Sequence, residues 1–162
     1  MAIPAFLADL RALVGTRPLW LSAVVAVVLD DADRVLLARR SDDGRWAPVG
    51  GILEPGEQPA DGVVRECLEE TGVAAVPELL ASVTVTPPVT YPNGDVAEYL
   101  LLTFRCRAVG GEARVNDDES LEVGWFALDE LPPMIDAEHE RLRHALECEG
   151  PAVFTWEGKE RP

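Results

Sequence analysis

A chain of 162 residues with 48% hydrophobic content is long enough to bury a proper core in one domain. Its formal net charge of −15 argues against non-specific binding to nucleic acid or to an anionic membrane. An anionic substrate would therefore have to be met by local cations and by metal, unless the acidity serves only solubility. The three cysteines, Cys67, Cys106 and Cys148, form no disulfide framework, and Cys67 and Cys106 fall in apolar segments as expected of reduced core residues. His139 and His144 are expected on the exposed face of a polar helix, which speaks against zinc. Asp9 and Arg11 interrupt the short apolar stretch at the start, so no signal peptide is read there. Residues 18–29 are too few to span a bilayer. A cytoplasmic enzyme that engages neither membrane nor nucleic acid is the expectation.

In chain order, Phe6, Leu7, Leu10 and Val14 recur at helical spacing, and Gly15 stops a short amphipathic helix within residues 1–15. Trp20 to Leu29 reads as a buried strand. Asp30 to Asp33 is a turn and Arg34 to Arg40 a second strand, which together suggest a hairpin. A polar loop over Ser41 to Gly44 leads to Trp46, a further loop covers Gly50 to Glu57, and a helix runs from about Gln58 to Thr71. Gly72 ends that helix, and Val73 to Thr86 is a strand closed by Pro87 and Pro88. Tyr91-Pro92-Asn93-Gly94-Asp95 is a strong turn signal before a long strand from Val96 to Ala108. An acidic loop to Ser120, a short strand around Trp125-Phe126 and a helix from Asp136 to Cys148 complete the pattern. Residues 149–162 read as a loose tail in which Phe154 and Trp156 could dock. Strands interrupted by substantial helices suggest an α/β sandwich with a mixed sheet, spanning residues 1–162 as a single domain.

The helix from Gln58 carries the chemistry. At about 100° per residue, Glu66, Glu69 and Glu70 share one face, while Ala60, Val64, Cys67 and Leu68 fall on the opposite, apolar face. Like charges at these spacings destabilise an isolated helix by a few tenths of a kcal/mol per pair, and burial enlarges the repulsion. A divalent cation would turn that cost into a binding term. Several carboxylates with room for water suit Mg²⁺ or Mn²⁺ better than Zn²⁺. An acidic triplet alone would more often be a solvated helix face.

The surroundings decide the matter. Gly51, Glu57, Arg65, Glu66, an apolar Cys67, Glu69, Glu70, Gly72 and Val73 fill one pattern that resembles the Nudix box of the Nudix hydrolase family. The resemblance implies an α/β/α sandwich with a mixed sheet. It also implies metal-dependent hydrolysis of a pyrophosphate bond in a nucleoside diphosphate linked to another group. It makes Glu66 and Glu70 metal ligands, joined by the carbonyl of Gly50, with Glu69 as a third ligand or a holder of water. Salt-bridging of Glu69 to Arg65 is the structural alternative. Arg65 and Glu57 become orienting residues, the guanidinium fork holding the loop against the helix. Glu119 in the acidic loop is the expected remote acid, either a further ligand or the general base, unless that loop is merely solvated; Glu122 and Glu98 are lesser candidates.

One departure is visible. Members of the family commonly read Pro-Gly-Gly at the box entrance, whereas this chain reads Pro48-Val49-Gly50-Gly51. That puts inherited substrate contacts in doubt more than the metal platform. Arg39 and Arg40 could bind phosphates or be ordinary strand-end cations. Trp46 or Tyr91 could stack on a base or belong to the core. Arg17-Pro18 and the Tyr91–Asp95 turn are similar to members called ADP-ribose pyrophosphatase-like, so a small-molecule nucleotide, ADP-ribose or a related nucleoside diphosphate sugar, is the expected substrate. The alternatives are (d)NTP or dinucleoside polyphosphate hydrolysis, and a non-catalytic nucleotide sensor. A homodimer using the first helix is compatible with the resemblance.

Overall fold

The computed structural model describes residues 4–154. Residues 1–3 and 155–162, with the expected docking of Trp156, lie outside the described residues. Helix α1 spans Ala5–Val14 and ends at Gly15, whose φ of 64° suits a residue without Cβ. Strands β1 (Leu19–Leu29), β2 (Val35–Arg40), β3 (Trp46–Ala47) and β4 (Val49–Ile52) follow, then helix α2 (Pro59–Thr71). Next come β5 (Val73–Val85), β6 (Val89–Thr90), β7 (Val96–Gly111), β8 (Ser120–Phe126), helix α3 (Asp136–Glu147) and β9 (Val153–Phe154).

These strands form one mixed sheet whose main path runs β3-β2-β1-β7-β5-β9. β1 lies at its centre, parallel to β7 from Leu19 opposite Ala97 to Leu29 opposite Arg107. Its burial is continuous from Ala23 to Leu29, the mark of a strand covered on both faces. Alternation then sorts its side chains. Val24, Ala26 and Val28 pack with Val63 and Cys67 of α2. On the other face, Val27 and Leu29 join Leu142 and Ala145 of α3, while Leu21, Ala23 and Val25 join Leu7 of α1. Each fully buried Val or Leu contributes about 1.5–3 kcal/mol. The α/β/α sandwich with a mixed sheet is the observed architecture.

Several local expectations change. The hairpin of the first two long strands is minimal: β2 meets β1 only at Leu29 and Val35, then peels away and pairs with β8 from Val35 to Arg40. The freed edge of β1 is taken by β4, with Val25 opposite Gly50 and Val24 opposite Gly51. The start of the expected Gly50–Glu57 loop is therefore a strand, because its backbone can complete the ladder of β1. Pro48, lacking an N–H to donate, is the buried residue between β3 and β4. The Val153–Phe154 part of the tail is a short strand parallel to β5, although the Phe154 ring is exposed. His139 is exposed as expected, but His144 is largely covered against the sheet side of α3.

The buried stripe of α2 is also rotated from the expected one. It comprises Val63, Cys67, Glu70 and Thr71, while Leu68 is exposed. One acid of the triplet thus turns inward.

Candidate active site

Helix α2 is fixed at both ends by its sequence. Pro59 occupies its first turn, where its missing N–H costs nothing, and Gly72 closes it in the left-handed conformation with φ 70°. The helix lies against β4, and the close approach is made by glycine. A Cβ on Gly51 would stand 2.3 Å from the Glu66 carboxyl carbon, and one on Gly50 would stand 2.3 Å from the Val24 carbonyl oxygen.

The three carboxylates occupy different environments. Glu70 is 8% exposed, Glu66 is largely buried, and Glu69 is exposed. Burial pushes Glu70 up to about 8, aided by repulsion from Glu66, Glu119 and Asp117, while the Gly50 N–H opposes the shift. Burial likewise pushes Glu66 up to about 7 against the pull of Arg65. These values identify a place where negative charge is costly until a cation arrives.

Arg65 joins the loop to the helix. Its Nε and Nη2 donate to Glu57 at 2.7 Å and 3.0 Å, the bidentate fork expected from the sequence. Its Nη1 donates to Glu66 at 2.9 Å and to Glu69 at 3.0 Å. The alternative for Glu69, a salt bridge to Arg65, is present. Arg65 hydrogen bonds hold the Glu57 carboxyl below its ordinary range.

The far wall comes from the end of β2. A register shift between Arg39 and Arg40 puts Arg40 opposite Ser120, and the Ser41 N–H donates to the Glu119 carbonyl at 2.8 Å. A cleft there is lined by Arg40, Ser41, Asp42, Gly50, Glu70, Glu119 and Ser120. Arg40 is gripped by Asp42 through Nε at 2.9 Å and through Nη2, which raises its pKa further. The tertiary structure thus gathers Arg40, Gly50, Glu70 and Glu119, with Glu66 immediately behind Gly51.

Three expected substrate contacts are absent from that lining, although Tyr91 lies near enough to Arg40 to act on its charge. Arg39 pairs with Glu122 at 3.3 Å, outside the cleft lining. Trp46 packs edge-on to Phe126, with ring centroids 4.9 Å apart, among side chains that face α3. Tyr91 donates to or accepts from Tyr99 at 2.6 Å beside the α1 cluster. The core reading describes Trp46 because Phe126 supplies its aromatic partner. Asp42 and Asp117 were not singled out from the sequence. Asp42, two residues after Arg40, carried a usable signal, whereas Asp117 was one acid among several in its loop.

Among the described residues no group of three His, Cys, Asp or Glu side chains stands as a ready-made ligand cluster. Arg65 holds one carboxylate oxygen of Glu66 and one of Glu69, which leaves the second oxygen of each for a cation. The donor chemistry nevertheless fits a hard divalent ion: oxygen ligands only, two of them buried and destabilised by their own charge, beside a glycine cradle that leaves them room.

Comparison with known proteins identifies the family. The profile of the family described as NUDIX domain matches residues 20–146. The chain belongs to that family, and with it to the pyrophosphohydrolases that act on nucleotides and generally use divalent metal. A MutT-like protein of Streptomyces ambofaciens is 37% identical over 143 residues, covering 88% of this chain and 87% of that one. An ADP-ribose pyrophosphatase of Methanocaldococcus jannaschii is 33% identical, covering 76% of this chain and 73% of that one. Among solved structures, an ADP-ribose pyrophosphatase from Streptococcus suis superposes with a TM-score of 0.65 at 25% identity, covering 83% of this chain and 98% of that one. The chain spans only 43% of a similar NAD-capped RNA hydrolase, NudC of Pseudomonas aeruginosa, and 37% of the human 8-oxo-dGDP phosphatase NUDT18. Among the described residues no helix is long and apolar enough to cross a membrane.

Proposed function

We propose that this chain hydrolyses the pyrophosphate bond of a nucleoside diphosphate sugar, ADP-ribose first, with Mg²⁺ as its metal and Mn²⁺ as a substitute. The observation that carries the reading is the convergence of Glu66, Glu70 and Glu119 with Arg40 beside Gly50 and Gly51. Acids destabilised by burial suit a cation, and the Arg40 guanidinium held beside them by Asp42 suits a phosphate. Glu66 and Glu70 would hold the metal, with Glu69 and the carbonyl of Gly50 completing the set. In an antiparallel ladder the N–H and C=O of one residue point to the same side, and the Gly50 N–H is the one that eases the charge of Glu70. Bound there, the cation supplies charge neutralisation on the non-bridging oxygens and eases deprotonation of water.

The remaining roles fall to the chain itself. Arg40, oriented by Asp42, binds the phosphate at the far wall. Glu119 takes the proton of the water that attacks phosphorus, which requires it within hydrogen-bond reach of that water. Arg65 and Glu57 keep the loop closed on the helix. ADP-ribose is favoured because two relatives of matching length are ADP-ribose pyrophosphatases. The relatives named for capped RNA or oxidised dGDP are matched over less than half their length. The sensor reading loses ground because the acids and Arg65 are all retained in one arrangement.

A panel of purified-enzyme assays with Mg²⁺ and Mn²⁺ tests the proposal. AMP and ribose 5-phosphate from ADP-ribose are the expected products. Faster release of a nucleoside monophosphate and pyrophosphate from a (d)NTP would replace the substrate and keep the site. Tight binding of nucleotide with no turnover would overturn the catalytic roles.

A further inference from the structure

The last carbonyls of a helix have no partner within it, and at the C-terminus of α2 they lie directly beside the acidic site. Each of them is nevertheless satisfied. The Leu68 carbonyl accepts from the Gly72 N–H at 2.9 Å, and the Thr71 carbonyl from the Arg114 N–H at 3.0 Å. Asn116 serves the rest. Its side-chain amide donates to the carbonyls of Leu68 and Glu69, both at 3.1 Å, and its backbone N–H donates to that of Glu70 at 3.1 Å. One residue of a distant loop therefore caps the helix that carries the carboxylates.

The same loop continues at once into Glu119. The Glu119 N–H donates to Asp117 at 3.0 Å, and its carbonyl is held by Ser41 at 2.8 Å. Two residues, Asp117 and Asp118, separate the cap from the acid, so the chain between them has little slack. The cap also sets amide donors against the negative end of the helix dipole, where Glu69 and Glu70 add their own charge.

We propose that Asn116 is a positioning residue for hydrolysis: it locks the loop to α2 and thereby sets the distance between Glu119 and the Glu66–Glu70 pair. This rests on the role given to Glu119 above. Asn116 is exposed, and a purely structural cap would show in melting rather than in kcat alone. Its proposed route of action is through Glu119.

A double-mutant cycle with ADP-ribose and MgCl₂ tests it, read as kcat and KM separately and accompanied by thermal melting. Asn116→Ala is expected to lower kcat at least about 10-fold, a fraction of what misplacing a reacting group by an ångström can cost, with KM changed less than about 3-fold. Asn116→Asp, equal in size but without the two donors, is expected to lose at least as much. In the Glu119→Gln background the Asn116→Ala change is expected to cost less than about 3-fold, because the group it positions is already lost. Independent, multiplying effects of the two substitutions would overturn the proposal, as would full activity in either Asn116 variant. If Glu119→Gln is itself as fast as the parent, the role of Glu119 fails, and the proposal fails with it for that separate reason. A fall in KM-limited binding with kcat intact would also sink it.

Discussion

The backbone N–H of Gly50 eases the negative charge of the Glu70 carboxylate across the seam between α2 and β4. This places the most buried acid of the site beside the backbone of the residue whose lack of side chain lets β4 close on β1, while its neighbour Gly51 makes room for Glu66. Glu70→Gln keeps an acceptor for that N–H and removes the charge. Turnover is expected to fall at least about 100-fold, since losing a ligand should exceed the 10–100-fold typical of the groups behind ligands. Melting without metal at pH 8 should occur at an equal or higher temperature than in the parent. Unchanged turnover would remove Glu70 from the ligand set.

The two glycines of the seam should respond differently. A methyl on Gly51 meets the tip of the flexible Glu66 side chain, whereas a methyl on Gly50 meets the Val24 carbonyl in the adjacent strand. Gly51→Ala is therefore expected to fold with nearly parental stability, yet to need at least about 10-fold more Mg²⁺ for half-maximal activity. Gly50→Ala is expected to lose several kcal/mol of stability through backbone displacement. Chemical denaturation and metal titration of both variants separate the cases. Equal loss of stability in the two would contradict the geometry.

Removing Arg65 leaves Glu57 half-buried without its fork. Arg65→Ala is expected to cost about 1–3 kcal/mol of stability and to release the loop. Arg65→Lys restores charge but offers no planar pair of donors, so activity should stay well below that of the parent. Full activity of the lysine variant, measured by initial rates at saturating Mg²⁺, would show that charge alone suffices.

The pH dependence of stability without metal follows from the raised carboxyls. Glu66 and Glu70 move from 4.5 to about 7 and about 8, so the folded state binds more protons than the unfolded state between these values. Their contribution is fully present below about pH 4.5 and is lost as pH rises through 7 to 8. Glu57 and Asp42 are held below their ordinary values and act on the acid side, where stability falls as they protonate. In EDTA, melting temperature should decline from pH 5 to pH 8, and MgCl₂ should restore it most at the alkaline end. A melting temperature flat over that interval would mean that the two acids are not buried together in solution.

Local chemistry was sufficient for much of this. The periodicity of β1, the stops at Gly15 and Gly72, the acidic face of α2 and the Arg65–Glu57 spacing are short-range features, and a linear pattern displays them. The partition of the triplet into buried Glu70 and exposed Glu69 was not displayed, because it depends on how α2 rolls onto Val24, Ala26 and Val28. The departure of β2 from β1 was hidden for the same kind of reason: two strands that read as a hairpin find better partners in β4 and β8. That exchange brings Arg40 and Glu119 to Glu70 and leaves Arg39 and Trp46 outside. The sequence by itself determined which groups could do the chemistry and on which helix they stand. Only the tertiary structure decided which of them meet, because burial, strand pairing and loop capping join residues far apart in the chain.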